Sequence, residues 1–156
     1  MDFDSVYEKY GAMLYKIAVV YTGNPENAED ILQDVFIAYL KHSDRLQSEE
    51  HTKAWLIRVT HNKCINLLKS PHGKNIDIEQ LQLTAQGEDR DQRLDVIRQI
   101  SQLPAKYKSV IVLYYYNELT IDEIAKILKT SKSAVKMRLK RGRDTLKIQL
   151  EDIGNE

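Results

Sequence analysis

Between Lys126 and Lys147 the chain carries nine basic residues and a single acid, Asp144. A cluster of that sign attracts phosphates, so the question is whether a helix displays it in order. Thr120 opens Thr-Ile-Asp-Glu, a capping box in which Glu123 reaches back to the Thr120 amide. The short helix behind it turns Ile124, Ile127 and Leu128 inward. Lys129-Thr130-Ser131 interrupts it, and Ser131 caps a second helix whose inner face is Val135, Leu139, Gly142 and Leu146. Two short helices, a tight turn and the small Ala125 at the crossing predict a helix-turn-helix. The outer face of its second helix is Ser133, Lys136, Met137, Lys140 and Arg141. Such a face enters a major groove, its first residues near base edges and the rest on phosphates. A Lys-rich solvated helix has the same composition; the cap, the turn and the crossing residue favour DNA. Turns of this kind favour glycine where Lys129 stands, which predicts backbone strain there.

Two further faces lie in the first half. Asn24 caps a helix with Pro25 at its first position. That helix turns Ala28, Ile31, Leu32, Val35, Phe36, Tyr39 and Leu40 inward and Glu29, Asp30, Gln33, Asp34 and Ile37 outward. The outward stripe fits a docking surface, and it equally fits acids placed by the helix dipole. On a third helix, from about Lys53 to Lys69, Trp55, Arg58, Asn62, Asn66 and Lys69 share one side. An indole, a guanidinium and amides can stack on and hydrogen-bond unpaired bases. Alternatively Trp55 is a core ring and its neighbours are ordinary polar surface.

Other chemistry is poorly served. His61 and Cys64 stand three apart, but two ligands without a second pair do not make a metal site. There is no Gly-rich phosphate loop, nucleophile elbow or catalytic carboxylate pair. No enzyme activity, metal or cofactor is expected.

The elements that must hold these faces are helical throughout. Phe3, Tyr7, Tyr10, Leu14, Ile17 and Tyr21 recur at spacings of 3 and 4, and no segment alternates as a strand does. Ala54, Ile57, Cys64, Ile65 and Leu68 form the inner face of the third helix. Further helices are expected over Leu94–Ser101, Pro104–Tyr116, Thr120–Leu128 and Lys132–Leu150. Eight aromatic residues precede Leu56, four follow Lys106 and none lies between. Pro71, Gly73 and Gly87 fall in that gap. The fold class is therefore all-α, with two small helical domains, 1–69 and 92–150, joined by a flexible linker over 70–91.

With 23 basic and 23 acidic side chains the 156-residue chain is neutral, yet 103–150 holds 11 bases against 4 acids. An apolar share of 42% suffices for a core. One cysteine fits a reducing compartment. The acidic start MDFDSVYEKY lacks the order of a signal peptide. The longest apolar run, Val110–Tyr116, is far below the roughly 20 residues of a membrane span. A cytoplasmic protein without membrane insertion is expected.

Taken together, four stretches resemble a known family: AEDILQDVF at Ala28–Phe36, AWLIRVTHN at Ala54–Asn62, Leu103-Pro104 opening a helix, and TIDEIAKILKTSKSAVKMRLKRGR at Thr120–Arg143. In this order and spacing they resemble bacterial RNA polymerase sigma factors of the small two-domain extracytoplasmic-function (ECF) type, in the sigma-70 superfamily. The resemblance implies that residues 1–69 dock on core RNA polymerase and recognise and melt the −10 promoter element. It implies that residues 92–150 read the −35 element. By position, it places Asp30, Gln33, Asp34, Phe36 and Ile37 in the polymerase-binding helix. Leu46, Trp55, Arg58, His61 and Asn62 fall at −10 contacts, with Asn62 where an unstacked base is held. Ser133, Lys136, Met137, Lys140, Arg141 and Arg143 fall at the −35 helix. The partners implied are core polymerase, promoter DNA and, in many such proteins, an anti-sigma factor.

Three positions depart from the pattern. Leu46 stands where the family often has an aromatic residue, so stacking is lost. Met137 replaces a polar base reader, which leaves contact with a thymine methyl group. Glu118 occupies the place of a helix-ending glycine, so Asn117 is expected to take the left-handed turn. The residues also fit a stand-alone helix-turn-helix transcriptional regulator with an N-terminal dimerisation or ligand module. The polar side of the third helix would then have no task.

Overall fold

The computed structural model describes residues 2–69 and 90–146, with the side chains of 90–95 left out of account. All of its regular elements within these ranges are helical. Helix α1 (Phe3–Thr22) begins where the Asp2 carboxylate accepts from the Ser5 amide at 2.8 Å. It ends at Gly23, whose φ of 68° lets its amide turn back onto the Val19 carbonyl. Helix α2 (Pro25–His42) follows after a single cap residue, Asn24, which accepts from the Asn27 amide at 3.1 Å. A 3₁₀ turn, Ser43–Arg45, and Leu46 lead to α3 (Glu49–Lys69), which starts four residues earlier than the periodicity predicts because Ser48 caps it. Helices α1, α2 and α3 all pack on one another around Leu14, Ile17, Tyr21, Val35, Leu56 and Ile57.

The second group begins with α4 (Arg90–Ser101), so Arg90 and Asp91 belong to a helix; the rest of the expected linker lies outside the described residues. Helix α5 (Ala105–Ile111) runs on into a wide π turn at Val112–Tyr116, a widening that the apolar periodicity does not reveal. Glu118 itself takes the left-handed conformation, φ 55°, while Asn117 stays at φ −115°. The expectation for Asn117 is thus corrected: its side-chain amide instead donates to the Val112 carbonyl at 3.2 Å, which ties it down one residue before the bend. Helices α6 (Ile121–Leu128) and α7 (Lys132–Thr145) complete the domain, and residues from 147 on lie outside the described range. Gly142 lets α7 approach α5 closely: a Cβ there would stand 3.0 Å from Ile111 Cγ1 and 3.1 Å from its Cδ1.

The two groups also pack against each other. Helix α1 lies on α4 and on the π turn, and α3 lies on α6. The buried side chains form one continuous cluster from Val6 to Leu139, where the aromatic gap predicts two cores.

Candidate nucleic-acid and polymerase interfaces

The helix-turn-helix forms from the residues that predict it. Thr120 Oγ1 accepts from the Glu123 amide at 3.1 Å, and Glu123 Oε1 accepts from the Thr120 amide at 3.0 Å. At its other end Lys129 sits at φ 55°, ψ 50°, and the Thr130 amide closes the turn on the Ala125 carbonyl at 3.0 Å. The turn survives without glycine because these bonds and the next cap, Ser131 Oγ accepting from Ala134, hold the backbone on both sides. Val135, Leu139 and Gly142 are buried, and Ser133, Lys136, Met137, Lys140, Arg141 and Arg143 are all exposed on the opposite face. Met137 is 48% exposed, unusually so for a thioether, which suits an apolar contact in a groove.

The surroundings orient several of these side chains. Asp122 receives Lys132 at 3.2 Å and Lys126 at 3.3 Å. These hydrogen bonds and charges hold its carboxyl below the usual range. Arg143 donates to the Tyr115 hydroxyl at 3.0 Å. Arg141 lies beside Tyr107 and, by hydrogen bonding, draws that phenol below its ordinary pKa. Lys136 and Lys140 are exposed beside them.

On α2 the outward stripe is as expected: Glu29, Asp30, Gln33, Asp34 and Ile37 are exposed. Phe36, on the inward stripe as expected, is a core residue, 4% exposed and ringed by Phe3, Tyr7 and Tyr39. Leu40, expected on the same inward stripe, is corrected to an exposed residue: it is 59% exposed, at the last turns of α2. With Tyr7, 47% exposed, and Ile37 it borders a groove of about 810 Å³ between α1 and α2, whose rim carries Glu8 and Glu29. Sequence reasoning missed this groove. Its signal was Tyr15, an aromatic residue that lies off the stripe of Phe3, Tyr7, Tyr10, Leu14, Ile17 and Tyr21 and lines the groove.

On α3, Asn62 and Asn66 are exposed, whereas Trp55 is half-buried with its ring near Tyr39 and His42. Leu46 is half-buried against the core. His61 does not share the polar side: it is 8% exposed, edge-on to Tyr21 at 5.6 Å, and burial pushes its pKa down to about 4. Next to Thr60 and about one helical turn from Cys64, both buried, it faces α1 rather than solvent, which corrects its expected place among DNA contacts. Arg58 is half-buried and donates from Nε to the carbonyl of Ile127, on α6, at 3.3 Å. Cys64 is fully buried, and burial raises its thiol to about 12, so it is held protonated among its apolar neighbours. Among the described residues no three His, Cys, Asp or Glu side chains gather as metal ligands, and no helix is long and apolar enough to cross a membrane.

Known proteins match the chain over both groups. Residues 6–72 match the family described as sigma-70 region 2, and residues 93–146 match sigma-70 region 4. The chain is 32% identical to the ECF RNA polymerase sigma factor SigW of Bacillus subtilis, covering 97% of this chain and 90% of SigW. It is 25% identical to ECF sigma factor SigL of Mycobacterium tuberculosis, covering 96% and 89%. In fold it is similar to CnrH, solved with the cytosolic domain of CnrY, at a TM-score of 0.72 and 22% identity over 98% of this chain and 87% of CnrH. It is equally similar to the sigma factor RpoE of Bartonella quintana, solved with the anti-sigma factor NepR (TM-score 0.75, 17% identity, 97% and 96% covered). The capped helix-turn-helix with its basic outer face, the three-helix domain before it and these matches lead to one conclusion: the chain belongs to the ECF RNA polymerase sigma factors, which join core polymerase and direct it to promoter DNA.

Proposed function

We propose that the two groups divide the work: residues 1–69 form sigma domain 2 and residues 92–150 form sigma domain 4, with 70–91 as the connection. The observation that carries this is the separation of charge and apolar exposure onto different helices. The exposed face of α2 is acidic with Ile37 and Leu40 standing free, whereas the exposed face of α7 is basic. An acidic, partly apolar face suits a protein partner and repels phosphates, and a basic one does the reverse.

In this reading Asp30, Gln33, Asp34 and Ile37 meet core polymerase, and Phe36 stiffens the helix from behind. Trp55, Arg58 and Asn62, with Leu46 in the loop before them, engage the −10 element; capture of an unpaired base offsets an unstacking cost of a few kcal/mol. His61 supports that face from the core. Ser133, Lys136, Met137, Lys140 and Arg141 face the −35 element, while Arg138 and Arg143 hold its phosphates. The protein works where polymerase and DNA are, in the cytoplasm, and has no catalysis of its own. Run-off transcription with core polymerase tests the assignment: a specific transcript that needs both Asn62 and Lys140 is expected. A transcript indifferent to both substitutions by alanine overturns it.

A further inference from the structure

Two exposed arginines of the basic helix are held by hydroxyls from the helix behind it. Gly142 marks where α7 touches α5: a Cβ there would meet Ile111 Cγ1 at 3.0 Å and Tyr107 Cβ at 3.6 Å. Tyr107, Ile111 and Tyr115 follow at intervals of four through α5 and the π turn. Neighbouring residues leave a helix about 100° apart, so Arg141 and Arg143 project to opposite sides of the buried Gly142. On one side Arg143 Nη1 donates to the Tyr115 hydroxyl at 3.0 Å. On the other, Arg141 hydrogen-bonds to the Tyr107 hydroxyl. Both tyrosines are half-buried and both arginines are exposed.

The kind of partner matters. Lys126 and Lys132 lie on the Asp122 carboxylate, which offsets their charge. A hydroxyl that accepts one N–H fixes a guanidinium, keeps its charge whole and leaves four of its five donors to a phosphate. A solvated arginine gives up much of its rotamer freedom when it meets DNA; one braced beforehand has given it up already.

We propose that Tyr107 and Tyr115 are positioning residues for the DNA contact of α7, bracing Arg141 and Arg143 as two forks that straddle the helix and face the phosphate strands on either wall of the groove. The inference rests on the assignment of α7 to promoter DNA made above. Phosphate contacts carry no sequence information, so a mixed-sequence duplex is a sufficient probe.

The test is a double-mutant cycle on the full chain, read by fluorescence anisotropy with that duplex over a series of salt concentrations. Phenylalanine keeps each ring and deletes only the hydroxyl. Tyr115→Phe is expected to weaken binding about threefold at low salt with the log–log slope kept, since the charge still reaches phosphate. Arg143→Ala is expected to lower that slope by about one, and in its background Tyr115→Phe should change nothing further. Tyr107→Phe should behave in the same way with Arg141→Ala. Equal or tighter binding by a tyrosine variant overturns its positioning role. So does a threefold loss that persists in the alanine background, which marks packing rather than bracing. Arginine variants that weaken binding beside inert tyrosine variants leave α7 on DNA and sink only the bracing. If Arg141→Ala, Arg143→Ala and Lys140→Ala all bind as the wild type does, the assignment of α7 fails and the bracing with it.

Discussion

The Tyr21 carbonyl accepts a hydrogen bond from Lys108 across the two domains, and that lysine is buried. Burial pushes its pKa down to about 8 from an ordinary 10.5, against a smaller opposing effect of the Cys64 thiol. The groups around it, Tyr21 on α1 and Cys64 on α3, have their own pKa values raised by burial, Cys64 to about 12, so neither titrates below pH 10. The packed form therefore binds its proton less tightly than an open form does. The penalty on packing is complete below pH 8 and fades as pH climbs toward 10.5. Chemical denaturation should show the wild type gaining stability between pH 8 and 9.5, and a Lys108→Met variant should lack that gain.

His61 carries the opposite requirement. Its pKa of about 4 in the fold lies below the ordinary 6.5, so the unfolded chain takes up a proton first as pH falls. Stability is lost from pH 6.5 down to about 4, by on the order of 3 kcal/mol. Chemical denaturation of His61→Phe should show that much less loss over the same interval than the wild type.

On the basic helix, Lys140→Ala and Arg141→Ala should weaken promoter binding while polymerase association is kept. Each removes one potential phosphate contact, so the salt dependence of binding should fall by about one unit of log–log slope where a phosphate was held. Fluorescence anisotropy at four or five salt concentrations measures both numbers.

Asp34→Lys should impair association with core polymerase by about tenfold or more, since reversing one charge in an interface sets like charges together. Duplex binding by the free chain should rise or stay level. Equal polymerase affinity in the variant would return the α2 stripe to ordinary solvated surface.

Lys129 stands at φ 55° in the helix-turn-helix. A non-glycine residue there costs roughly 1 kcal/mol. Lys129→Gly should raise the melting temperature of the chain by a few degrees, with duplex affinity falling only as one exposed positive charge is removed.

Much of this protein could be read from spacing. Ile124, Ile127, Val135 and Leu139 recur at helical intervals, Thr120 and Glu123 stand three apart, and Asn24-Pro25 opens α2; these are local relations, set by which backbone amide lies within reach of which side chain. The outer faces of α2 and α7 follow from the same periodicity, and so do the family motifs. What spacing could not supply were relations between residues far apart in the chain. Phe36 and Leu40 occupy the same predicted stripe, and only the tilt of α1 across α2 decides that one is core and the other rims a groove. His61 and Arg58 differ by less than a turn, yet one faces Tyr21 and the other α6. The docking of the domains is the largest such fact: the end of α1 leaves carbonyls without a donor of their own helix, but nothing in the linear order says that Lys108, 87 residues from Tyr21, reaches one of them. Sequence determined the helices, their caps and the charge each displays, because those depend on neighbours within one turn. Tertiary structure decided which displayed groups remain free, because burial depends on what packs from elsewhere.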